Sequence, residues 1–417
     1  MHFIALKAFT TMNIFVLIAL AMVLTVVLLR FKLPIGVAIF VGGLLIWGCT
    51  NPDPSLLVKS LEQMLAQPRT YDLILALYFV MCLEIELRKG GALSGMVKYL
   101  YRVFASAKFT LAAMPAFLGV LPSVGGARFS APIVKEASKD MQVNDNQRAA
   151  INYWFRHVFE FSSPIIPGMI LACGIAGVNI GDLIIHLGWM TILSFLVGWL
   201  VLVRPIKAQE NPMPMSTPQE RRRELIDFIM ALSPVIVNVI LMVFFGIRAS
   251  LAMAMVVVAM IPVLWGFNRT VGIREIFVGA LDWKMLANVS CILLFIQVLD
   301  TTGVLSQIVA AFEGSVLPVP VIIAIISFLV GVLTGMSQGH VAIVMPIIAA
   351  MSMGNLDLVG IAMVFGVGGQ MVTPTHVCLT VTLDYFKADF FKTLYPIVIT
   401  QTILFAAFCL VTYFTYG

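Results

Sequence analysis

Two short polar segments, each set inside an apolar stretch, carry the residue types that hold ions. The first reads Pro122-Ser123-Val124-Gly125-Gly126-Ala127-Arg128-Phe129-Ser130-Ala131-Pro132. Gly125 and Gly126 let the chain turn tightly and let a ligand approach the backbone, and Ser123 and Ser130 add hydroxyls. The Arg128 guanidinium suits bidentate contact with a carboxylate. In so apolar a setting it is costly unless it binds an anion or pairs with a carboxylate such as Glu160. The second segment reads Thr334-Gly335-Met336-Ser337-Gln338-Gly339-His340. Thr334, Ser337 and Gln338 are short polar groups suited to a ligand or a sodium ion. His340 can donate to an anion, carry a proton or pack.

Two further segments place ionisable residues beside proline breaks. In Arg156-His157-Val158-Phe159-Glu160-Phe161-Ser162-Ser163-Pro164-Ile165-Ile166-Pro167-Gly168 the prolines remove two backbone donors and interrupt any helix. Glu160 is either an i,i+4 partner of Arg156 or a proton carrier or cation ligand, and His157 shares its face and could relay a proton. The matching segment is Gly368-Gly369-Gln370-Met371-Val372-Thr373-Pro374-Thr375-His376. Gln370 stands in register with Glu160, so the pair is asymmetric in charge, and His376 lies just past the break.

The elements that must position these residues are membrane helices. Hydrophobic residues make up 60% of the 417, charged ones 11%, and mean hydropathy is +1.01. A soluble domain carries roughly a quarter charged residues, so a water-soluble enzyme, a secreted disulfide domain and a disordered regulator are excluded. The six cysteines (Cys49, Cys82, Cys173, Cys291, Cys378, Cys409) fall singly in apolar runs with no metal-ligand spacing, so they read as small buried hydrophobes and no metal is expected. A span needs about 20 apolar residues. Ten stretches qualify: 12–30, 33–49, 70–87, 147–178, 183–203, 226–246, 249–266, 285–302, 356–382 and 394–415. Two more, 107–138 and 318–354, break centrally at Gly, Pro and polar residues and are expected to be re-entrant hairpins. Ser55–Ala66 and Ala92–Phe104 suit interfacial helices. Glu84 and Glu86, just before Arg88-Lys89, read as interfacial and solvated.

With this topology 20 of the 26 Lys and Arg fall on one face and four on the other, which makes the rich face cytoplasmic and places both termini outside. The charge of +5 reflects that bias and not nucleic acid, for which no motif appears. The polar linker 204–225 divides the chain. Arg30, Gly119 and Ser163-Pro164 recur as Arg248, Gly331 and Thr373-Pro374, at slowly drifting offsets of 218, 212 and 210. On the last two, His340 corresponds to Arg128 and Gln370 to Glu160. The expected architecture is thus all-α: two repeats, 1–203 and 226–417, each of five spans and one hairpin. An odd span count inverts the second copy. The first three spans of each half (12–87 and 226–302) would form a scaffold. Inverted repeats with broken helices (147–178 and 356–382) belong to secondary transporters, whose site lies at the midplane, because unwound backbone survives there only where it lines a cavity.

This pattern, with Gly-Gly-Ala-Arg-Phe-Ser-Ala-Pro (125–132), Phe155-Arg156-His157 and Glu160-Phe161-Ser162-Ser163-Pro164, resembles the ion transporter superfamily. That group includes divalent-anion/sodium symporters, citrate and gluconate permeases, and arsenite and sodium/proton antiporters. Within it, the motifs look most similar to a prokaryotic integral-membrane family without known function. The resemblance implies a homodimer with a mobile domain of hairpins and broken spans that moves as an elevator. Better-known relatives carry Ser-Asn-Thr at the tips where this chain has Ser123-Val124-Gly125 and Ser337-Gln338-Gly339. The expected function is import or exchange of a small organic anion across a prokaryotic inner membrane, coupled to H+ or Na+. Substrate contacts fall to Ser123, Gly125, Gly126, Arg128, Ser130, Ser162, Ser163, Ser337, Gln338, His340, Thr373, Thr375 and His376, and the coupling ion to Glu160, His157, Thr334 and Gln370. No Walker A loop is present and no cofactor or enzymatic role is expected. A cation/proton antiporter is the rival; a lipid scramblase or an intramembrane enzyme using Ser337 and His340 is remote.

Overall fold

The computed structural model describes residues 14–31, 33–92, 95–96, 98–99, 106–120, 126–139, 141–207 and 217–415. Among them every regular element is helical. The chain opens with α1 (Ile14–Arg30), α2 (Ile35–Thr50), α3 (Pro54–Ala66) and α4 (Pro68–Lys89). Asp53 caps α3 by accepting from the Ser55 N–H, with Pro54 at the first helical position, where its missing donor costs nothing. This helix covers the stretch that the sequence reading expects to lie in the membrane interface; most of 92–104 lies outside the described residues.

Over the two stretches expected to be re-entrant hairpins, consecutive helices pack against each other: α5 (Ala107–Val120) with α6 (Gly126–Ala137), and later α15 (Val319–Thr334) with α16 (Ser337–Ser352). The first tip, 121–125, is outside the described residues. Each hairpin is followed by a broken span. The first consists of α7 (Asp145–Phe155), a single 3-10 turn (Val158–Phe161) and α8 (Pro167–Ala176). The second consists of α17 (Leu356–Met371) and α18 (Val377–Phe386). α8 and α18 have ten residues each, about 15 Å of helix and half of a ~30 Å hydrocarbon core. The breaks therefore suit mid-depth. The remaining elements are α9 (Ile180–Gly198, prolonged by a π turn to Val203), α10 (Pro218–Val243), α11 (Ala249–Gly266), α12 (Ile273–Gly279), α13 (Trp283–Thr301), α14 (Val304–Glu313) and α19 (Phe390–Thr415).

Five helical stretches are long and apolar enough to cross a membrane by length and composition: Ile180–Val203, Pro218–Val243, Ala249–Gly266, Ile273–Thr301 and Phe390–Thr415. The protein is multi-pass, and the other apolar helices are shorter. α2 has 16 residues, about 24 Å, and the broken spans are short because proline divides them.

Small residues set the packing. α15 lies against α17, and a Cβ on Gly331 or Gly369 would collide with the Gly366 or Phe328 carbonyl oxygen. α2 meets α13 just as closely at Gly36, whose N–H donates to Asn288 Oδ1 at 3.1 Å. Such backbone contact is how apolar helices associate where no hydrophobic effect drives them together. Two groups of contacts result: α2 with α13 and α4 with α11, then α8 with α16 and α18 with α6 and α7.

One expectation fails here. Glu84 pairs with Arg88 at 3.0 Å, but Glu86 is completely buried and neither carboxylate oxygen has a hydrogen-bond partner. The end of α4 is covered on most sides, with Leu83, Ile85 and Leu87 buried as well, so Glu86 is enclosed although it stands close to Arg88 and Lys89.

Candidate functional site

Both breaks face one another across the seam between the halves. α7 ends at Phe155, and Pro164 and Pro167 keep a regular helix from resuming before α8. Arg156, His157 and the 3-10 turn lie in the gap, and Pro167 then opens α8 at its first position. α17 ends at Met371, and Pro374 lies in the gap before α18. Tyr153 ties the breaks together. Its buried hydroxyl donates toward the carbonyls of Gln370 and Met371, 3.3 Å from each, two acceptors that the end of α17 leaves without helical partners.

A bridge of two histidines lies beside this tie. His157 Nδ1 is 2.7 Å from the Tyr153 carbonyl oxygen, which can only accept, so Nδ1 carries the proton. His157 Nε2 is then an acceptor in the neutral ring, and His376 Nε2, 3.0 Å away, donates to it. The rings of Tyr153, His157 and His376 meet edge to face with centroids 4.8–5.3 Å apart. The Cys378 thiol completes a cluster in which the ligand atoms of His157, His376 and Cys378 all lie within 4.8 Å of one another. From sequence, Cys378 reads only as a packing residue. The six cysteines are free, so no disulfide joins them.

Glu160 takes a different partner. Its Oε2 accepts from Ser337 Oγ at 3.0 Å, which links the first break to the second hairpin. The expected i,i+4 pair between Arg156 and Glu160 does not form, since the helix that would align them stops at Phe155. Arg156 is only 8% exposed, and its Nε and Nη1 have no hydrogen-bond partner. The guanidinium acts electrostatically on Glu160 and on Cys378. Nor do His157 and Glu160 form a relay, because each bonds elsewhere. Gln370, in register with Glu160, is fully buried beside it.

Three helices start at this seam without a side-chain cap: α8 after Ile166, α16 after Met336 and α18 after His376. First-turn N–H groups without a side-chain cap are donors that an anion can take, favoured further by the helix dipole. Elsewhere α3, α7, α9, α10, α13 and α17 carry Asp53, Asn144, Asn179, Thr217, Asp282 and Asn355 as caps, while α2, α4, α11, α12 and α15 also start without one. The starts of α8 and α16 nearly touch: a Cβ on Gly168 would lie 2.5 Å from that of Ser337. Gly335, at φ +66°, makes the turn between α15 and α16 and abuts Thr375.

The other expected site residues divide. Ser123 and Gly125 lie outside the described residues; Gly126 and Arg128 belong to the first turn of α6, and Ser130 is buried within that helix. Thr373 and Thr375 bond each other at 2.9 Å beside the second tip, and Gln338 is half-buried there. Four residues turn away from the seam. Ser162 bonds Thr191 of α9 at 2.8 Å, Ser163 the Val120 carbonyl at 3.3 Å, and Thr334 its own helix at Val330. His340 is fully buried, with its ring against Gly366 and both nitrogens unpartnered. Ser337 and His340 therefore do not form a nucleophile–base pair. Sequence reasoning missed Tyr153 and the chemistry of Arg156 and Cys378. Tyr153 and His157 at i and i+4, and His376-Val377-Cys378, were the available signals.

The fold is similar to the crystal structure of the Alcanivorax borkumensis YdaH transporter, which reveals an unusual topology. The superposition has a TM-score of 0.59 at 12% sequence identity and covers 86% of this chain and 89% of that one. The likeness is one of fold, that of a membrane transporter. No curated protein matches the sequence. Residues 13–415 match the family described as protein of unknown function DUF401, and the chain belongs to that family.

Proposed function

We propose that the protein is a secondary transporter of a small organic anion, a carboxylate, driven by an H+ or Na+ gradient across a prokaryotic cytoplasmic membrane. The observation that carries this reading is the buried Arg156 guanidinium, with two unpaired N–H donors where three uncapped helix starts converge. A buried guanidinium with unsatisfied donors is costly, and an incoming carboxylate supplies the acceptors that Nε and Nη1 lack together with a compensating charge. Arg128 in α6 is a second guanidinium for the same anion, with Ser123, Ser130, Gln338, Thr373 and Thr375 completing the cradle. Glu160 is the coupling carboxylate; Gln370 opposite it keeps the pair from becoming a double negative charge.

The resemblance to the ion transporter superfamily supports an elevator movement of the hairpins and broken spans against a dimeric scaffold. So does an internal correspondence. Gly119 packs against the Arg156 carbonyl as Gly331 packs against that of Gly366, contacts related by offsets of 212 and 210 residues, as two inverted copies would have. The test is a current measurement on proteoliposomes supplied with mono-, di- and tricarboxylates, with and without sodium, at two pH values. A current that needs one carboxylate and fails in Arg156→Gln supports the reading. Proton flux evoked by sodium alone, without any carboxylate response, would assign a cation/proton antiporter instead.

A further inference from the structure

We propose that His157, His376 and Cys378 form a binding site for a transition-metal cation that favours imidazole and thiolate, Zn2+ being the type. The proposal is independent of the carboxylate reading, since it concerns the protein's own affinity for a metal.

Three ligand atoms from two breaks far apart in sequence meet within 4.8 Å, and both histidines are more than nine-tenths buried. His157 is already oriented as a ligand. Its Nδ1–H is held by the Tyr153 carbonyl, which points the Nε2 lone pair into the cluster, as a backbone carbonyl commonly does for a metal-bound histidine. His376 Nε2 shares that space, and its Nδ1 has no hydrogen-bond partner. Its proton can move from Nε2 to Nδ1, freeing a second imidazole lone pair without a change of charge. The Arg156 guanidinium lies near enough to act on both Cys378 and Glu160, and Glu160 offsets the charge that Arg156 and the metal bring together. A Cys/His2 set supplies three ligands of a tetrahedron and leaves the fourth position to water or an anion.

On binding, the Cys378 S–H bond breaks, a sulfur–metal bond forms and one proton leaves to solvent; no electron is transferred. The ion would join the first break to the second, so it would immobilise the seam that the proposed substrate must enter.

The experiment uses the full-length protein in detergent. Titration with Co2+ should give a thiolate-to-cobalt charge-transfer band and tetrahedral d–d absorption, both displaced by Zn2+. Cys378→Ser should abolish the charge-transfer band, while Cys409→Ser, at an exposed cysteine, should leave it intact. His157→Gln and His376→Gln should each weaken Zn2+ binding by calorimetry at least about tenfold, the scale on which even a supporting contact acts. The proposal is overturned if no band develops, if the band survives Cys378→Ser, or if it is lost in Cys409→Ser. Should Cys378→Ser not yield folded protein, His376→Gln decides: an unchanged spectrum and affinity would refute the site.

Discussion

Replacing Arg156 should stabilise the protein and disable it. In the absence of ligand the guanidinium is 8% exposed with two donors unpaired, so folding carries a desolvation cost that Glu160, not in direct contact, offsets only in part. Effective penalties for a buried ion are several kcal/mol. Arg156→Met keeps much of the side-chain volume without the charge, and even a third of such a penalty would return about 1–2 kcal/mol of stability. For a chain of this size that is a rise of about 1–2 °C in unfolding temperature. The same change removes charge-assisted hydrogen bonds to the substrate, about 1.5–3 kcal/mol each. Losing about 3 kcal/mol raises Kd roughly 150-fold. Thermal unfolding in detergent and tracer uptake into proteoliposomes measure the two effects separately. A higher midpoint with lost uptake is the signature of a residue kept for function at the expense of stability. If Arg156→Met unfolds at a lower temperature, or transports with affinity within threefold of the parent, the reasoning fails and the guanidinium is structural.

Glu160→Gln should retain substrate exchange down a gradient but lose ion-driven accumulation, because the amide oxygen can still accept from Ser337 while the carboxylate charge is gone; uptake with and without an imposed gradient separates the two. Gly119→Ala and Gly331→Ala should each lower stability by about 1–3 kcal/mol, since the added methyl meets a backbone carbonyl. Gly188→Ala, in α9 with open space around it, should be neutral or slightly stabilising, and thermal scans of the three compare them directly. Tyr153→Phe, which leaves the α17 carbonyls without their side-chain donor, should cost about 1 kcal/mol and speed proteolysis near the second break.

The backbone plan was legible wherever it depended on proline and glycine. Pro164, Pro167 and Pro374 mark the breaks because a missing N–H cannot be supplied in lipid, and the interrupted stretch 318–354 turns at Gly335 as its composition requires. Side-chain partnerships were less legible. Arg156 and Glu160 have the spacing of an ion pair, but that spacing holds only on a continuous helix, and the helix ends one residue before Arg156. Glu86 was misplaced because its charged neighbours indicated a solvated end, while other helices cover that end and bury Leu83, Ile85 and Leu87 with it. Ser337 with Glu160 and His157 with His376 join residues from opposite halves, a proximity that no local pattern encodes.

The short turn after α15 has a kinetic consequence. Gly335 rests on Thr375 of one break, and Ser337, two residues on, holds Glu160 and faces Gly168 of the other. A segment this short cannot release one neighbour and keep the other without straining its own left-handed glycine. Letting a ligand in therefore becomes one concerted event with a single barrier, and a cross-link between positions 168 and 337 would arrest both sides of the seam together.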